Sequence, residues 1–326
     1  MKKVRWGIIG CGDVTEVKSG PAFNKIENSE LVAVMRRDGA KARDYAERHG
    51  VPKWYDKAED LIHDAEVDAV YIATPPDSHA AYTLQVAAAG KPVYVEKPMA
   101  LNHAQCQEMI AACEQAQVPL FVAFYRRSQA PFLKVKELLE RQAIGEVRFV
   151  NIKLYQPLQP HLYQENPPWR VKPEISGGGL FHDLAPHQLD ILDFMLGPIV
   201  SASGQAINQA ALYEAEDLVT AQLRFENGVL GSGVWCFSVA EQQRADRIEI
   251  IGSAGRISFP AFAREPILLE TAAGTDEFLL PLPQHVQQPF IQSIVEELTG
   301  KGKCPGSAAS AARTSWVMDQ IVGRGK

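Results

Sequence analysis

Short apolar runs alternate with longer stretches of mixed polarity through residues 4–124. Each run is almost continuously apolar, which is typical of parallel strands covered on both faces, and the stretches between the runs have helical character. The predicted strands are VRWGIIG (4–10), LVAVM (31–35), VDAVYIAT (67–74), PVYVEKP (92–98) and PLFVAF (119–124), and the helices include KARDYAERHG (41–50), DSHAAYTLQVAAAG (77–90) and NHAQCQEMIAACEQAQ (102–117). This alternation predicts a right-handed, doubly wound parallel sheet.

The pattern changes after a helix predicted near 184–196, where strand-like runs follow one another. They are VSASGQAI (200–207), DLVTAQLRF (217–225), VLGSGVWCFSV (229–239), DRIEIIGS (246–253) and GRISF (255–259), and a further long strand, GEVRFVNIKLY (145–155), precedes the helix. Short turns between runs predict a large, mainly antiparallel sheet with helices on one face. We expect an α/β chain with a Rossmann-type domain in 1–122 and an α+β domain in 123–326, the latter completed by helices near 285–299 and 307–322.

The first predicted strand ends at a glycine-rich turn, GCGDVT (10–15). Gly10 permits the tight turn, Gly12 lets the backbone approach a pyrophosphate, and Asp13 and Val14 open a helix whose N–H groups favour an anion. The third small position of the usual motif is Thr15, a departure that weakens the match. The alternative is an unrelated strand-to-helix turn, but the flanking strands favour dinucleotide binding.

The end of the second strand bears on the choice of cofactor. NAD-specific sites usually carry an acidic residue there for the ribose 2′-hydroxyl, about 20 residues after the glycines. This chain has Arg36 and Arg37 instead, and Asp38 follows where it can cap the next helix. Guanidinium groups suit a 2′-phosphate or stacking on adenine, and we expect NADP in preference to NAD. The alternative is a pair of solvated surface arginines.

Composition excludes several classes of protein. The 326 residues are 46% hydrophobic and 22% charged, with a net charge of −6, and no basic cluster indicates a nucleic-acid surface. The sequence predicts neither a signal peptide nor a membrane span. The five cysteines form no C-x-x-C pair, so free thiols and a cytoplasmic location are expected.

Four segments together resemble the glucose–fructose oxidoreductase/inositol dehydrogenase (Gfo/Idh/MocA) family. They are GIIGCGDV (7–14), ATPPDSHA (73–80), GKPVYVEKPMA (90–100) and GGGLFHDLAPHQLD (177–190). The resemblance extends over nearly the whole chain. It implies an NAD(P)-dependent oxidoreductase that transfers hydride between the nicotinamide and a hydroxyl or carbonyl carbon of a sugar, polyol or similar molecule. Family members associate through the second sheet, so a homodimer or homotetramer is expected.

The resemblance also assigns roles in the first domain. Lys97 matches the family lysine that hydrogen-bonds the reacting oxygen of the substrate, and Glu96 matches a glutamate near the nicotinamide ribose. We expect Glu96 to point away from Lys97 if the strand is still regular there. Thr74 and Pro75 correspond to positions near the nicotinamide. His79 either contacts the cofactor or is a helix-terminal histidine bonded to backbone.

The segment 177–190 places acids and imidazoles at the start of a helix. At about 100° per residue, Asp183, His187 and Asp190 share one side, while Leu184, Ile191, Leu192 and Met195 form an apolar stripe. The family uses the residue matching His187 as acid or base and the one matching Asp183 for orientation. The alternatives are an N-cap role for Asp183 and a surface salt bridge for Asp190. His182 falls outside the shared face and is expected to be structural, and no metal is expected because no third ligand is evident.

Residues expected at the substrate are less well defined by sequence. Trp169 and Arg170 precede the glycine run and are candidates for closing over the ligand, although core packing of the tryptophan is an alternative. Tyr125 stands where the family often has asparagine, so substrate identity does not transfer from the family. Relatives that bind the dinucleotide as regulators, or that retain NAD while cleaving glycosidic bonds, give alternative functions.

Overall fold

The computed structural model describes residues 3–324, which form two compact units. The first unit consists of 3–100, 104–129 and 282–312, and the second of 101–103, 130–281 and 313–324. A division at residue 122 assigns 282–312 to the second domain, whereas its contacts are with the first unit. The expected helix near 285–299 therefore completes the first unit, and the expectation that it closes the second domain is wrong.

The elements of the first unit follow the alternation expected from the sequence. Its strands are β1 Val4–Ile9, β2 Ser29–Met35, β3 Lys53–Tyr55, β4 Ala69–Ile72, β5 Val93–Val95 and β6 Leu120–Val122. The helices that accompany them are α1 Asp13–Val17, α2 Gly39–His49, α3 Ala58–His63, α4 His79–Ala88 and α5 His103–Gln115. All the pairings are parallel, in the order β3-β2-β1-β4-β5-β6, which is the doubly wound Rossmann arrangement.

The first sheet is covered on both faces, as the continuously apolar strands require. On one face Val70, Val95 and Met109 belong to a core shared with α4 and α5. On the other, the rings of Trp6, Tyr71 and Tyr94 belong to a core that includes Phe290 and Ile291. The last two residues come from the segment 282–312, so a late part of the chain covers this face.

The second unit contains the large sheet and its helices. The strands are β7 Val147–Pro157, β8 Ile199–Ile207, β9 Leu218–Phe225, β10 Leu230–Val239, β11 Ala245–Gly252, β12 Gly255–Phe259, β13 Ile267–Thr271 and β14 Gly274–Phe278. The described helices after α5 are α6 Ala130–Glu140, α7 Pro173–Ser176, α8 Leu180–Leu196, α9 Gln288–Leu298 and α10 Ala308–Val322. Of these, α9 belongs to the first unit. The strand order is β14-β13-β12-β11-β7-β10-β9-β8, and β7 and β10 are the parallel neighbours in an otherwise antiparallel sheet.

One face of this sheet is apolar and covered. Residues of β7, β9 and β11 that point to this face are buried in one core with side chains of α6 and α8. The opposite face carries exposed side chains that include Phe149 and Leu230. Across residues 3–324, no helix is both long enough and apolar enough to cross a membrane.

Candidate functional site

The glycine turn fits a dinucleotide. Gly10 has φ of +93°, a backbone conformation that favours glycine. A Cβ there would also lie only 2.9 Å from the backbone nitrogen of Thr74, so the available space excludes a side chain as well. A Cβ on Gly12 would meet only the Gly10 carbonyl, at 3.9 Å, which leaves open space beside the backbone for a pyrophosphate. Thr15 donates its hydroxyl to the Gly12 carbonyl at 2.8 Å, so this departure from the usual motif is satisfied locally. Asp13 is exposed and Val14 half-buried at the start of α1.

The two arginines after β2 have different surroundings. The Arg36 guanidinium is half-buried and donates through Nη1 to the carbonyl of Cys11 in the glycine turn, at 3.2 Å. Arg37 is exposed. Asp38 accepts from the backbone N–H of Lys41 at 3.2 Å and caps α2, as expected. Arg36 thus fixes the turn, and Arg37 is the guanidinium that faces solvent.

A buried hydrogen-bond network surrounds Glu96 at the end of β5. Tyr71 and Gln287 both donate to Oε1 of Glu96, each at 2.6 Å, and Tyr94 donates to Oε1 of Gln287 at 2.7 Å. The Lys97 backbone N–H donates to Oε2 of Glu96 at 3.1 Å. Burial, followed by the neighbouring Glu96 carboxylate, raises the pKa of Tyr71 well above its ordinary value. The network fixes the backbone that carries Lys97.

Sequence reasoning missed three members of this network. The two tyrosines lie in apolar strands buried on both faces, and a buried phenol needs a hydrogen-bond partner, which is a signal that the sequence contained. Gln287 lies 191 residues from Glu96 and had no such signal. The Lys97 side chain is half-buried and directly follows β5, at the carboxyl edge of the sheet.

His79 is fully buried at the start of α4, and both its ring nitrogens contact backbone carbonyls. Nε2 lies 2.8 Å from the carbonyl oxygen of Thr74, and Nδ1 lies 3.0 Å from that of Pro98. Burial lowers the pKa of His79, and the two carbonyls oppose this effect. The imidazole therefore links the segments that follow β4 and β5. Thr74 also accepts a hydrogen bond from Ser78 at 2.7 Å, and Pro75 is half-buried beside it.

In the second unit, α8 begins earlier than expected. Its N-cap is Gly179, so Asp183 lies inside the helix and the N-cap interpretation of Asp183 is wrong. Pro186 lies inside this helix. Gly178 explains the glycine run, because a Cβ there would overlap the imidazole of His182. Gly179 is thus the N-cap of α8, and Gly178 allows the chain to pack closely against His182.

Asp183 forms an ion pair with Arg170, which the sequence also predicts to lie at the substrate. Nε of Arg170 lies 3.2 Å from Oδ2 of Asp183, and the Arg170 guanidinium stacks 4.6 Å above the Trp169 ring. The Arg170 side chain is 46% exposed and that of Asp183 is 16% exposed. The structure therefore brings Trp169, Arg170 and Asp183 together at the surface of the second unit.

His187 and Asp190 lie deeper in α8 than the amphipathic pattern indicated. Both are buried, and the interpretation of Asp190 as part of a surface salt bridge is therefore wrong. The His187 ring packs edge-on against Phe262, with centroids 5.8 Å apart and planes at 76°. Of the expected apolar stripe, Ile191, Leu192 and Met195 are buried and Leu184 is half-buried. The helix is buried on most of its circumference because the sheet and neighbouring helices surround it.

His182 has a structural environment, as expected. Its Nδ1 lies 3.0 Å from Oε1 of Glu216, which also accepts from the Gly179 N–H at 3.1 Å. Burial alone raises the pKa of Glu216, but the hydrogen bond with His182 and the other contacts outweigh it, so the pKa is lowered. Glu216 thereby ties His182 to the helix start.

Tyr125 is buried in the first unit, in the core that contains Trp6. The Arg126 guanidinium lies 5.2 Å from its ring centroid. Among residues 3–324, no group of three or more His, Cys, Asp or Glu side chains is arranged to hold a metal ion.

Comparisons with known proteins agree with this architecture. A model described as "Oxidoreductase family, NAD-binding Rossmann fold" matches residues 4–124, and one for the "GFO/IDH/MocA C-terminal domain" matches 132–258. Oxidoreductase P35 of Formosa agariphila is 41% identical over 322 residues, covering 98% of this chain and 99% of that protein. Myo-inositol 2-dehydrogenase of Thermotoga maritima is 32% identical over 264 residues, covering 78% and 74%. The aldose-aldose oxidoreductase of Caulobacter crescentus shares the fold, with a TM-score of 0.86, 24% identity, and coverage of 99% and 98%.

The fold, the glycine turn and these matches define an NAD(P)-dependent oxidoreductase that acts on CH–OH groups. The expected doubly wound first domain and mainly antiparallel second sheet are confirmed. The chain belongs to the Gfo/Idh/MocA family.

Proposed function

We propose that this protein is a dehydrogenase or reductase of a sugar, polyol or similar small molecule, with Lys97, His187 and Asp183 as its chemical groups. The observation that carries the proposal is the position of Lys97, half-buried at the carboxyl edge of a sheet whose glycine turn fits a dinucleotide. Ligands of doubly wound sheets bind at that edge. Relatives named for myo-inositol and aldoses support the substrate class.

The bound nicotinamide supplies hydride chemistry at its C4. The Lys97 ammonium donates a hydrogen bond to the substrate oxygen and stabilises negative charge on it. His187 exchanges the hydroxyl proton, a role that suits imidazole because its ring nitrogens can both accept and donate a proton. Asp183, held by Arg170, orients the substrate or the imidazole.

Several further residues are proposed to bind ligands. Gly10, Gly12, Asp13 and Val14 hold the pyrophosphate, and Thr74, Pro75 and Glu96 lie on the nicotinamide side. His79 acts there through the backbone carbonyls that it contacts. Trp169, Arg170 and Tyr125 are proposed to contact substrate.

A panel of sugars and polyols, each tested with NAD and NADP and followed at the nicotinamide absorbance, tests the reaction. Absence of turnover with every CH–OH substrate would contradict it.

NADP is the proposed cofactor, with Arg37 as the group that binds the 2′-phosphate. Arg36 is engaged with the Cys11 carbonyl, whereas Arg37 is exposed beside it. Changing Arg37 to Gln should lower kcat/KM for NADPH by about 10–100-fold, the equivalent of one charge-assisted hydrogen-bond pair, and change the value for NADH less than about threefold. Steady-state kinetics with both cofactors measures this.

Arg43 provides the matched control. It is an exposed arginine on α2 that pairs with Glu47 at 2.7 Å, so Arg43→Gln should leave both cofactors unaffected. Equal loss with NADH and NADPH in Arg37→Gln, or a wild-type enzyme that prefers NADH, contradicts the proposed specificity.

The exposed face of the second sheet is proposed to form a homodimer or homotetramer in the cytoplasm. Phe149 is 42% exposed and Leu230 57% exposed, and they line a pocket on neighbouring strands β7 and β10. A charge there is incompatible with a buried apolar contact. Leu230→Glu should therefore dissociate the oligomer, as measured by analytical ultracentrifugation, whereas Leu84→Glu on α4 should not. A monomeric wild-type protein contradicts this proposal.

The proposed cytoplasmic location rests on the cysteines. All five are free thiols, which is consistent with a reducing compartment.

A further inference from the structure

The structure contains a polar anchor behind His187 that the family resemblance does not assign. Asp246 lies on β11, on the same side of the strand as the buried Ile248 and Ile250, because strand side chains alternate. A carboxylate on the helix-covered face of a sheet requires compensation for its lost hydration. That compensation comes from one loop of the same unit.

Three consecutive backbone N–H groups donate to the Asp246 carboxylate. Ala261 donates to Oδ1 at 3.0 Å, and Phe262 and Ala263 donate to Oδ2 at 2.6 and 2.7 Å. The loop is tied a second time by the ion pair of Arg247 with Glu265 at 2.9 Å. Hydrogen bonds to an ionised acceptor are short and directional, so they fix the position of the loop backbone.

Phe262 is the middle residue of this anchored loop, and its ring contacts His187. The centroid distance of 5.8 Å and the interplanar angle of 76° correspond to an edge-to-face aromatic pair. An imidazole on a helix retains rotation about its side-chain torsions, and a ring packed against it restricts that rotation. The anchored loop therefore limits the orientations open to the His187 ring.

We propose that Phe262 is a positioning residue for His187 and that Asp246 acts through Phe262 by holding its loop. The inference rests on the proposed role of His187 in proton transfer. The contact geometry itself is independent of that role. Neither Phe262 nor Asp246 needs to touch the substrate, because their effect is to keep the imidazole in its productive orientation.

Phe262→Leu tests the ring, and Asp246→Asn tests the anchor. A misoriented acid–base group loses about 10–100-fold in rate, so both variants should lower kcat by about 10-fold or more while KM changes less than about threefold. Phe262→Tyr keeps the ring and should restore kcat to within about twofold of the wild type. Because Asp246 acts through Phe262, the double variant should be no slower than Phe262→Leu alone.

NMR of protein labelled at the histidine Cε1 gives a readout independent of turnover. The chain has 8 histidines, and the His187 signal is identified by its loss in His187→Asn. The ring current of Phe262 should shift this signal in the wild type and in Phe262→Tyr, and the shift should disappear in Phe262→Leu and decrease in Asp246→Asn.

Asp217 offers the matched control. It accepts from the backbone N–H groups of Gln209 and Ala210, each at 2.8 Å, in another loop of the same unit. Asp217→Asn should weaken that loop and leave the His187 signal unchanged. An unchanged signal in Asp246→Asn, or multiplicative losses in the double variant, overturns the proposal. Full activity of His187→Asn with the expected shifts in the other variants overturns the proposed proton transfer and leaves the positioning contact intact.

Discussion

Replacing Lys97 by methionine lowers kcat by about 1000-fold or more and leaves the dissociation constant of the nicotinamide cofactor within about threefold of the wild type. Methionine keeps the length of the side chain and removes the ammonium that is proposed to hold the substrate oxygen. Loss of a preorganised donor to a developing charge reduces kcat by about 100–1000-fold, and loss of its positive charge adds to this. Steady-state turnover and cofactor fluorescence titration measure the two quantities.

Lys91 is the matched control for this experiment. It lies shortly before β5, the same strand that Lys97 follows, and donates to the carbonyl of Asp64 at 2.8 Å. Lys91→Met should affect stability more than turnover. Turnover by Lys97→Met close to that of the wild type contradicts the assignment of Lys97, and a parallel loss of cofactor binding indicates a role in holding the cofactor instead.

Replacing His187 by asparagine should have the second largest effect, a loss of about 100–10,000-fold in kcat/KM, the range observed for general acid–base groups. The variant also removes one ionisation from the pH dependence of kcat/KM, because the proton acceptor no longer titrates. Kinetics across about pH 5–10 measure both the magnitude and the missing limb.

His161 serves as the control, since it is an exposed histidine of the second unit. His161→Asn should keep the rate and the full pH profile. If His187→Asn retains an unchanged pH profile at a reduced rate, His187 acts through orientation or packing and another group exchanges the proton.

The sequence predicts most of the first sheet because its strands are covered on both faces and read as continuous apolar runs. β3 (Lys53–Tyr55) and α3 (Ala58–His63) escaped prediction because they are short, and β3 is not buried. Periodicity likewise placed α9 (Gln288–Leu298) close to its observed bounds. It did not show which sheet the helix covers, because an apolar face does not specify its partner.

For the candidate site, the sequence predicted residue roles only where a residue matches a position of a family motif. The sequence placed Asp183 and His187 on one helix, but glycine capping at Gly179 shifted the helix start toward the N-terminus. An aspartate is a better cap than glycine by propensity. The helix nevertheless begins after Gly179, next to Gly178, where a Cβ would overlap the His182 imidazole. Gln287 and Asp246 were not predictable, since their partners are distant in sequence or belong to a backbone loop.

Residues 282–312 pack in the first unit, so that unit cannot complete its core until late in synthesis of the chain. At about 5–20 residues per second, the ribosome needs roughly 10–30 s to extend the chain from β6 to Gln287. Throughout this interval Trp6 and Tyr94 lack the cover of Phe290, and the Glu96 carboxylate lacks one of its donors. The core of the nascent first unit therefore stays partly uncovered until residues 282–312 have been synthesised.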